Sequence, residues 1–208
     1  MFELENVSIA YEDEPVLSDI SIQICSGEKV VVIGQSGAGK STLLKKLYDT
    51  QQQRAAFIHQ DYALVPQLSV FHNVCIGRLD KYGTAYNLLN LVRPQQKALD
   101  EVVPLLEALG MPDKTHERVS NLSGGQQQRV AVARAIYRGG DAVLGDEPVS
   151  AIDPHQAGAV LRLLSAGFTA ASLKGVKFMR LLFLSHTFSF QTRTQTRTRA
   201  QTRAQTRY

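Results

Sequence analysis

No acidic residue occurs beyond Asp153. All 19 Asp and Glu lie at or before that position together with 14 of the Lys and Arg, so residues 1–153 carry a formal −5 and the remainder +9. The overall +4 and the pI near 9.1 therefore do not describe the body of the chain and give no reason to seek a nucleic acid or an anionic surface as its partner. Cysteine is almost absent: Cys25 and Cys75 stand alone, with no CxxC and no His cluster nearby. That excludes a cysteine zinc site and a disulfide framework and leaves the expectation of two buried thiols. No run approaches the roughly 18 apolar residues of a membrane-crossing helix, and Met1–Glu5 lacks a basic segment and an apolar stretch, so a cytosolic protein is expected. From Gln191 to Tyr208 the chain repeats Gln-Thr-Arg, with five arginines and no aliphatic side chain larger than Ala, and such a tail is expected to be disordered.

Against these absences, 44% hydrophobic and 20% charged residues over 208 positions suit one folded domain. Residues 2–24 alternate apolar and polar in three phases, Phe2/Leu4, Val7/Ile9/Tyr11 and Ile20/Ile22/Ile24, which predicts half-buried antiparallel strands. Lys29–Ile33 is a continuous apolar run read as a strand buried on both faces. A Gly-rich loop and then a helically spaced Thr42–Leu47 follow it. Ala55–His59 predicts another strand. Pro66, Pro94, Pro104 and Pro112 are expected to break a helical stretch over about 62–138 into pieces. Its last helix opens on a capping box, Ser123 with Gln126, and stops at Gly139-Gly140. Ala142–Gly145 is a further buried strand, Asp153-Pro154 starts a helix, and Leu181–Ser185 reads as one more buried strand. The expected fold class is α/β.

The chemistry concentrates at two places. Gly34-Gln35-Ser36-Gly37-Ala38-Gly39-Lys40-Ser41-Thr42 fits G-x-x-x-x-G-K-S: glycines let successive amides point at one phosphate, and the helix that follows adds its positive end. Lys40 then reaches the β- and γ-phosphates and the Ser41 hydroxyl sits on Mg²⁺. Ala142–Gly145 ends in Asp146-Glu147; the first is placed to hold Mg²⁺ through water, the second to take a proton from an attacking water. ATP and Mg²⁺ are the expected ligands. His59, His72, His116 and His155 have no metal-ligand spacing; His72 and His116 are read in polar surroundings and His155 at a helix start.

Leu122-Ser123-Gly124-Gly125-Gln126-Gln127-Gln128-Arg129 resembles the signature sequence of ATP-binding-cassette (ABC) ATPases, a resemblance that extends over about residues 1–165. It implies a P-loop NTPase fold of the ABC type: a mixed sheet with N-terminal antiparallel strands and an inserted helical subdomain, 62–138. It implies further that Tyr11 stacks on adenine, that Gln60 contacts Mg²⁺ and water, that Ser150-Ala151-Ile152-Asp153 forms the D-loop, and that Ser123, Gly124, Gly125 and Gln126 act on the ATP held by a second subunit. The working unit would be a head-to-tail homodimer on the inner face of the cell membrane, bound to membrane permease subunits and served indirectly by a solute-binding protein. Val65–Val74 with Gly77-Arg78-Leu79 is similar to ATPase subunits of phosphonate importers, pointing to phosphonate or a related oxyanion.

The C-terminal third departs from that pattern. The family's switch histidine falls either on His186, which follows Leu181–Ser185, or on a position where Lys174 replaces it; both alternatives stay open at this stage. Residues 166–190 read as a degenerate end of the domain, and the basic tail as sequence that replaced the family's C-terminus through a change of reading frame rather than as an arm for nucleic acid. Two rivals to an importer ATPase follow: a nucleotide-binding remnant with impaired hydrolysis, and a soluble ABC protein acting on nucleic acid.

Overall fold

The structure, a computed structural model, describes residues 2–11, 14–25, 28–166 and 180–184. Two strands, β1 (Phe2–Tyr11) and β2 (Glu14–Ile24), pair antiparallel, and β3 (Val30–Val32), β4 (Ala55–Ile58), β5 (Ala142–Gly145) and β6 (Arg180–Leu184) form a parallel sheet in the order β3-β6-β5-β4. Helices α1 (Lys40–Thr50), α2 (Val70–Cys75), α3 (Thr84–Val92), α4 (Gln96–Ala108), α5 (Gly124–Arg138) and α6 (Pro154–Ala166) complete the described elements with three short 3₁₀ turns. The α/β class is borne out, with the antiparallel pair as a sheet of its own.

The phase changes in residues 2–24 have a visible cause. Asn6 (φ 48°) and Asp19 (φ 51°) sit at irregularities of the β1–β2 ladder, where the pairing passes from Leu4↔Ile22 to Val7↔Ile20 and then to Ile9↔Leu17. Each bulge shifts the side-chain alternation by one residue. Their backbone N–H groups donate across the hairpin, Asn6 to Ser21 Oγ and Asp19 to Ser8 Oγ, both at 3.0 Å.

Period two also divides the parallel sheet between two cores. Ala56, Ile58 and Val143 pack against the helices α2, α4, α5 and α6, whereas Ala55, Ala142 and Leu144 pack with Leu44 and Leu47 of α1 and with Phe2, Leu4 and Ile24 of the hairpin. Leu44 and Leu47, three residues apart on one helical face, are fully buried, each contributing about 1.5–3 kcal/mol. Helices α2, α4 and α5 therefore share one core with the sheet.

Four expectations need correction. β3 is only three residues long and Val31 (43%) and Ile33 (77%) are exposed, because the packed side of the strand is the one that carries Val30 and Val32. Pro104 lies inside α4 and does not end it; buried Val102, Leu105 and Leu106 around it hold the helix through the missing N–H. Cys25 is exposed just after β2 instead of buried, and Cys75 is half-buried, where desolvation pushes its thiol up to about 11. His72 does not sit in polar surroundings. Its Nδ1 lies 2.8 Å from Ser69 Oγ, but its Nε2 is buried with no hydrogen-bond partner among the described residues, and its ring packs edge-on to Phe71.

Candidate functional site

The parallel sheet brings the C-terminal ends of β3, β4, β5 and β6 to one edge, and the motif residues follow those ends. From β3 the chain enters the loop Gly34–Gly39 and then α1. Gly37 and Gly39 take φ +78°, the left-handed region that favours glycine. A Cβ on Gly39 would also stand 2.8 Å from Leu17 Cδ2 and 3.1 Å from the Val16 carbonyl, so the loop's last turn is packed directly onto the hairpin. Lys40 is buried (9% exposed) and its Nζ donates to the carbonyls of Gly34 (2.9 Å) and Gln35 (2.6 Å). The ammonium is thus folded into the curl of its own loop. Gln35, Ser36, Gly37 and Ala38 are exposed along the rim, as is Ser41; Thr42 is half-buried.

Between β3 and β5 lies β6, and beyond β5 lies β4. Asp146 is buried (8%) and its backbone N–H donates to the Ile58 carbonyl at 3.0 Å, which locks the ends of β5 and β4 together. The segment carrying exposed Gln60 leaves the sheet beside it. A serine hydroxyl, an amide oxygen and a carboxylate are hard oxygen donors of the kind Mg²⁺ takes, and the Asp146 carboxylate makes no salt bridge among the described residues, so the donor set fits that ion. Glu147 follows with φ 52°, an uncommon conformation for a non-glycine residue at the end of a strand.

The capping box at α5 forms as the sequence predicts: Gln126 N–H donates to Ser123 Oγ (3.4 Å) and Ser123 N–H to Gln126 Oε1 (2.9 Å). Ser123 and Gly124 are exposed at the start of this 15-residue helix. Gly125 faces inward, where a Cβ would stand 2.7 Å from the Ala151 carbonyl, so only glycine lets the signature helix approach the Ser150–Asp153 loop this closely. Asp153 Oδ1 accepts from the His155 N–H at 2.9 Å and starts α6.

Two side chains that hold the loops of the candidate site escaped the sequence reading, both on α5. Gln128, 1% exposed, donates from Nε2 to the Glu147 carbonyl (2.7 Å) and accepts at Oε1 from the Ala151 N–H (2.9 Å). Arg134 donates to the carbonyls of Ala63 and Tyr62, both at 2.6 Å, and these are the two left-handed residues (φ 44° and 62°) that follow Gln60. A signal existed for the first: Gln128 lies on the buried stripe of α5 that includes Ala131 and Ala135, where a polar side chain must find partners.

Tyr11 ends β1, but its side chain, Lys174 and His186 lie outside the described residues; β6 ends at Leu184, two residues before His186. No group of three or more His, Cys, Asp or Glu able to hold a metal occurs among the described residues. Away from the site, a cavity of about 370 Å³ opens between α2, α3 and the turn Ile76–Lys81, lined by Leu68, Ile76, Leu79, Leu88 and Leu91, and Leu88, Leu89, Leu91 and Val92 of α3 are exposed.

A strand, a glycine loop with a buried lysine, a helix and a neighbouring strand ending in carboxylates define a P-loop nucleotide-binding protein. The family model for the ABC transporter matches residues 17–150, and the chain belongs to that family. It is 35% identical over 196 residues to the phosphonates import ATP-binding protein PhnC of Anaeromyxobacter dehalogenans, covering 82% of this chain and 39% of that protein. It is 37% identical over 194 residues to PhnC 3 of Halalkalibacterium halodurans, covering 79% and 74%. The chain thus spans well under half of the first relative and about three-quarters of the second. Among solved structures it resembles the dimeric bacterial ABC transporter cassette MJ0796, with a TM-score of 0.71 at 24% identity over 90% of this chain and 88% of that one, a likeness of fold. No helix among the described residues is long and apolar enough to cross a membrane.

Proposed function

We propose that this chain binds and hydrolyses ATP to drive an ABC importer for phosphonate or a related oxyanion. The observation that carries the reading is Lys40 folded inside its glycine loop at the sheet edge where β5 delivers Asp146 and Glu147. The loop amides and the positive end of α1 hold phosphate oxygens, and Lys40 exchanges its two carbonyl acceptors for the β- and γ-phosphates. Ser41, Gln60 and Asp146 would hold Mg²⁺, which when bound neutralises charge developing on the transferred phosphoryl group. Glu147 takes the proton of the attacking water, and the sequence position of His186 two residues after β6 supports it over Lys174 as the switch residue.

The exposed start of α5, with Ser123 and Gly124, supports a site completed in a head-to-tail homodimer, where Ser123, Gly124, Gly125 and Gln126 meet the nucleotide bound by the partner. The apolar α3 face and the cavity beside it support docking of a membrane permease at the inner face of the membrane, with a solute-binding protein acting through that permease. The phosphonate assignment is supported by the similarity to phosphonates import ATP-binding proteins and by Val65–Val74 with Gly77-Arg78-Leu79.

Phosphate release by the purified chain with ATP, with and without Mg²⁺, tests the activity, and Glu147→Gln is expected to abolish turnover and accumulate an ATP-bound dimer in light scattering. Unchanged turnover in that variant removes the base assignment. ATP binding with negligible phosphate release by the unmodified chain favours a nucleotide-binding remnant instead. Stimulation of turnover by phosphonate, when the chain is assembled with its permease and solute-binding protein, tests the cargo.

A further inference from the structure

Glu147 stands in the left-handed region, a conformation that persists in a non-glycine residue only where its surroundings fix it. Part of what holds it comes from the signature helix. The Glu147 carbonyl accepts from Gln128 Nε2 at 2.7 Å and from Ser150 Oγ at 3.2 Å, while the other end of the same amide, Oε1, accepts the Ala151 N–H at 2.9 Å. A carbonyl on one side and an N–H on the other demand a side chain with a donor and an acceptor on one carbon, which a carboxamide supplies. Gln128 is itself 1% exposed, so its amide meets these two partners from inside the fold. One turn before it, Gly125 lies against the Ala151 carbonyl. Gln128 is only about 6 Å along the helix axis from the exposed signature end at Gly124.

From this we propose that Gln128 is a positioning residue: its amide mounts the backbone of Glu147 and the Ser150–Asp153 loop on the signature helix, so that the state of the signature end is transmitted to the general base. The proposal rests on the reading of Glu147 as that base. Movement of α5 at Ser123 and Gly124 carries Gln128 with it, and both ends of the amide move with the helix.

Gln128→Ala and Gln128→Glu separate this role from packing. In nucleotide-free protein, Gln128→Ala is expected to speed hydrogen exchange at the Ala151 amide about tenfold or more, whereas Gln128→Glu, which keeps an acceptor, preserves its protection. In turnover, both variants are expected to lose about tenfold or more in kcat at pH 8 with KM for ATP within about threefold. The buried carboxyl of Gln128→Glu titrates at raised pH and regains a donor when protonated, so its kcat relative to the unmodified chain should recover as pH falls toward 6. A packing role alone would not produce that recovery. Unchanged exchange at Ala151 in Gln128→Ala overturns the latch, and so does kcat within about twofold in both variants, or a rise in KM without a fall in kcat. If the unmodified chain releases no phosphate, the reading of Glu147 as base fails instead, and exchange at Ala151 still decides whether the amide holds the loop. Gln128→Glu, with nearly the side-chain volume of glutamine, supplies the kinetic result should Gln128→Ala not fold.

Discussion

Arg134→Met cuts the connection between α5 and the segment after Gln60 while keeping most of the side-chain stem. Two hydrogen bonds of 2.6 Å are lost, from the guanidinium to the Tyr62 and Ala63 carbonyls. Each charge-assisted bond contributes about 1.5–3 kcal/mol when its acceptor has no replacement. Ala63 is exposed and its carbonyl can take water in exchange, whereas Tyr62 is half-buried. Relaxation of the left-handed backbone at Tyr62 and Ala63 returns part of the loss. The net expectation is about 2–4 kcal/mol of destabilisation. For a chain of this size that lowers Tm by about 4–16 °C. Urea unfolding followed by circular dichroism measures it, with Arg134→Lys as the comparison, since a lysine keeps the charge but not the two-pronged geometry and should lie between. Gln60 precedes Tyr62 by two residues, so the Mg²⁺ concentration for half-maximal ATPase should also rise in Arg134→Met. The reasoning fails if Arg134→Met costs less than about 0.5 kcal/mol, or if lysine performs as well as arginine.

Gly125→Ala places a Cβ at 2.7 Å from the Ala151 carbonyl, a backbone atom that cannot swing aside, so the signature helix must shift. ATP-dependent dimerisation should weaken by at least about tenfold while ATP binding by the isolated chain is kept; unchanged dimerisation in light scattering would show that the close approach is dispensable. Thiol titration should distinguish the two cysteines. Exposed Cys25 is expected to react promptly at pH 8, whereas Cys75, pushed up to about 11 by desolvation, has about one thiolate in a thousand at that pH and should react only on unfolding. Two equally fast thiols in the folded protein would contradict the packing around Cys75.

Much of the site was legible because its chemistry is local. The loop from Gly34 to Thr42 combines glycine torsions with the start of a helix. The capping box joins Ser123 and Gln126 across one turn, and Asp146-Glu147 declares itself by ending an apolar strand. Patterns of period two and 3.6 report such features directly. The same rules misjudged Pro104, since a helix penalty is a local quantity and the burial of Val102, Leu105 and Leu106 that overcomes it is not. They misjudged Val31 and Ile33 for the opposite reason: an apolar run states what a strand can bury and not how many layers cover it.

The sequence by itself determined the α/β class, the order of strand, glycine loop and helix, and the candidate residues along it, because each depends on neighbours a few positions away. Only the tertiary structure decided what holds those residues in place. Gln128 reaches Ala151 across 23 residues and Arg134 reaches Tyr62 across 72, and no periodicity spans such distances. Those hydrogen bonds exist because the parallel sheet carries the ends of β4 and β5 to the flank of one helix, where a buried amide and a guanidinium must find carbonyls or remain unsatisfied.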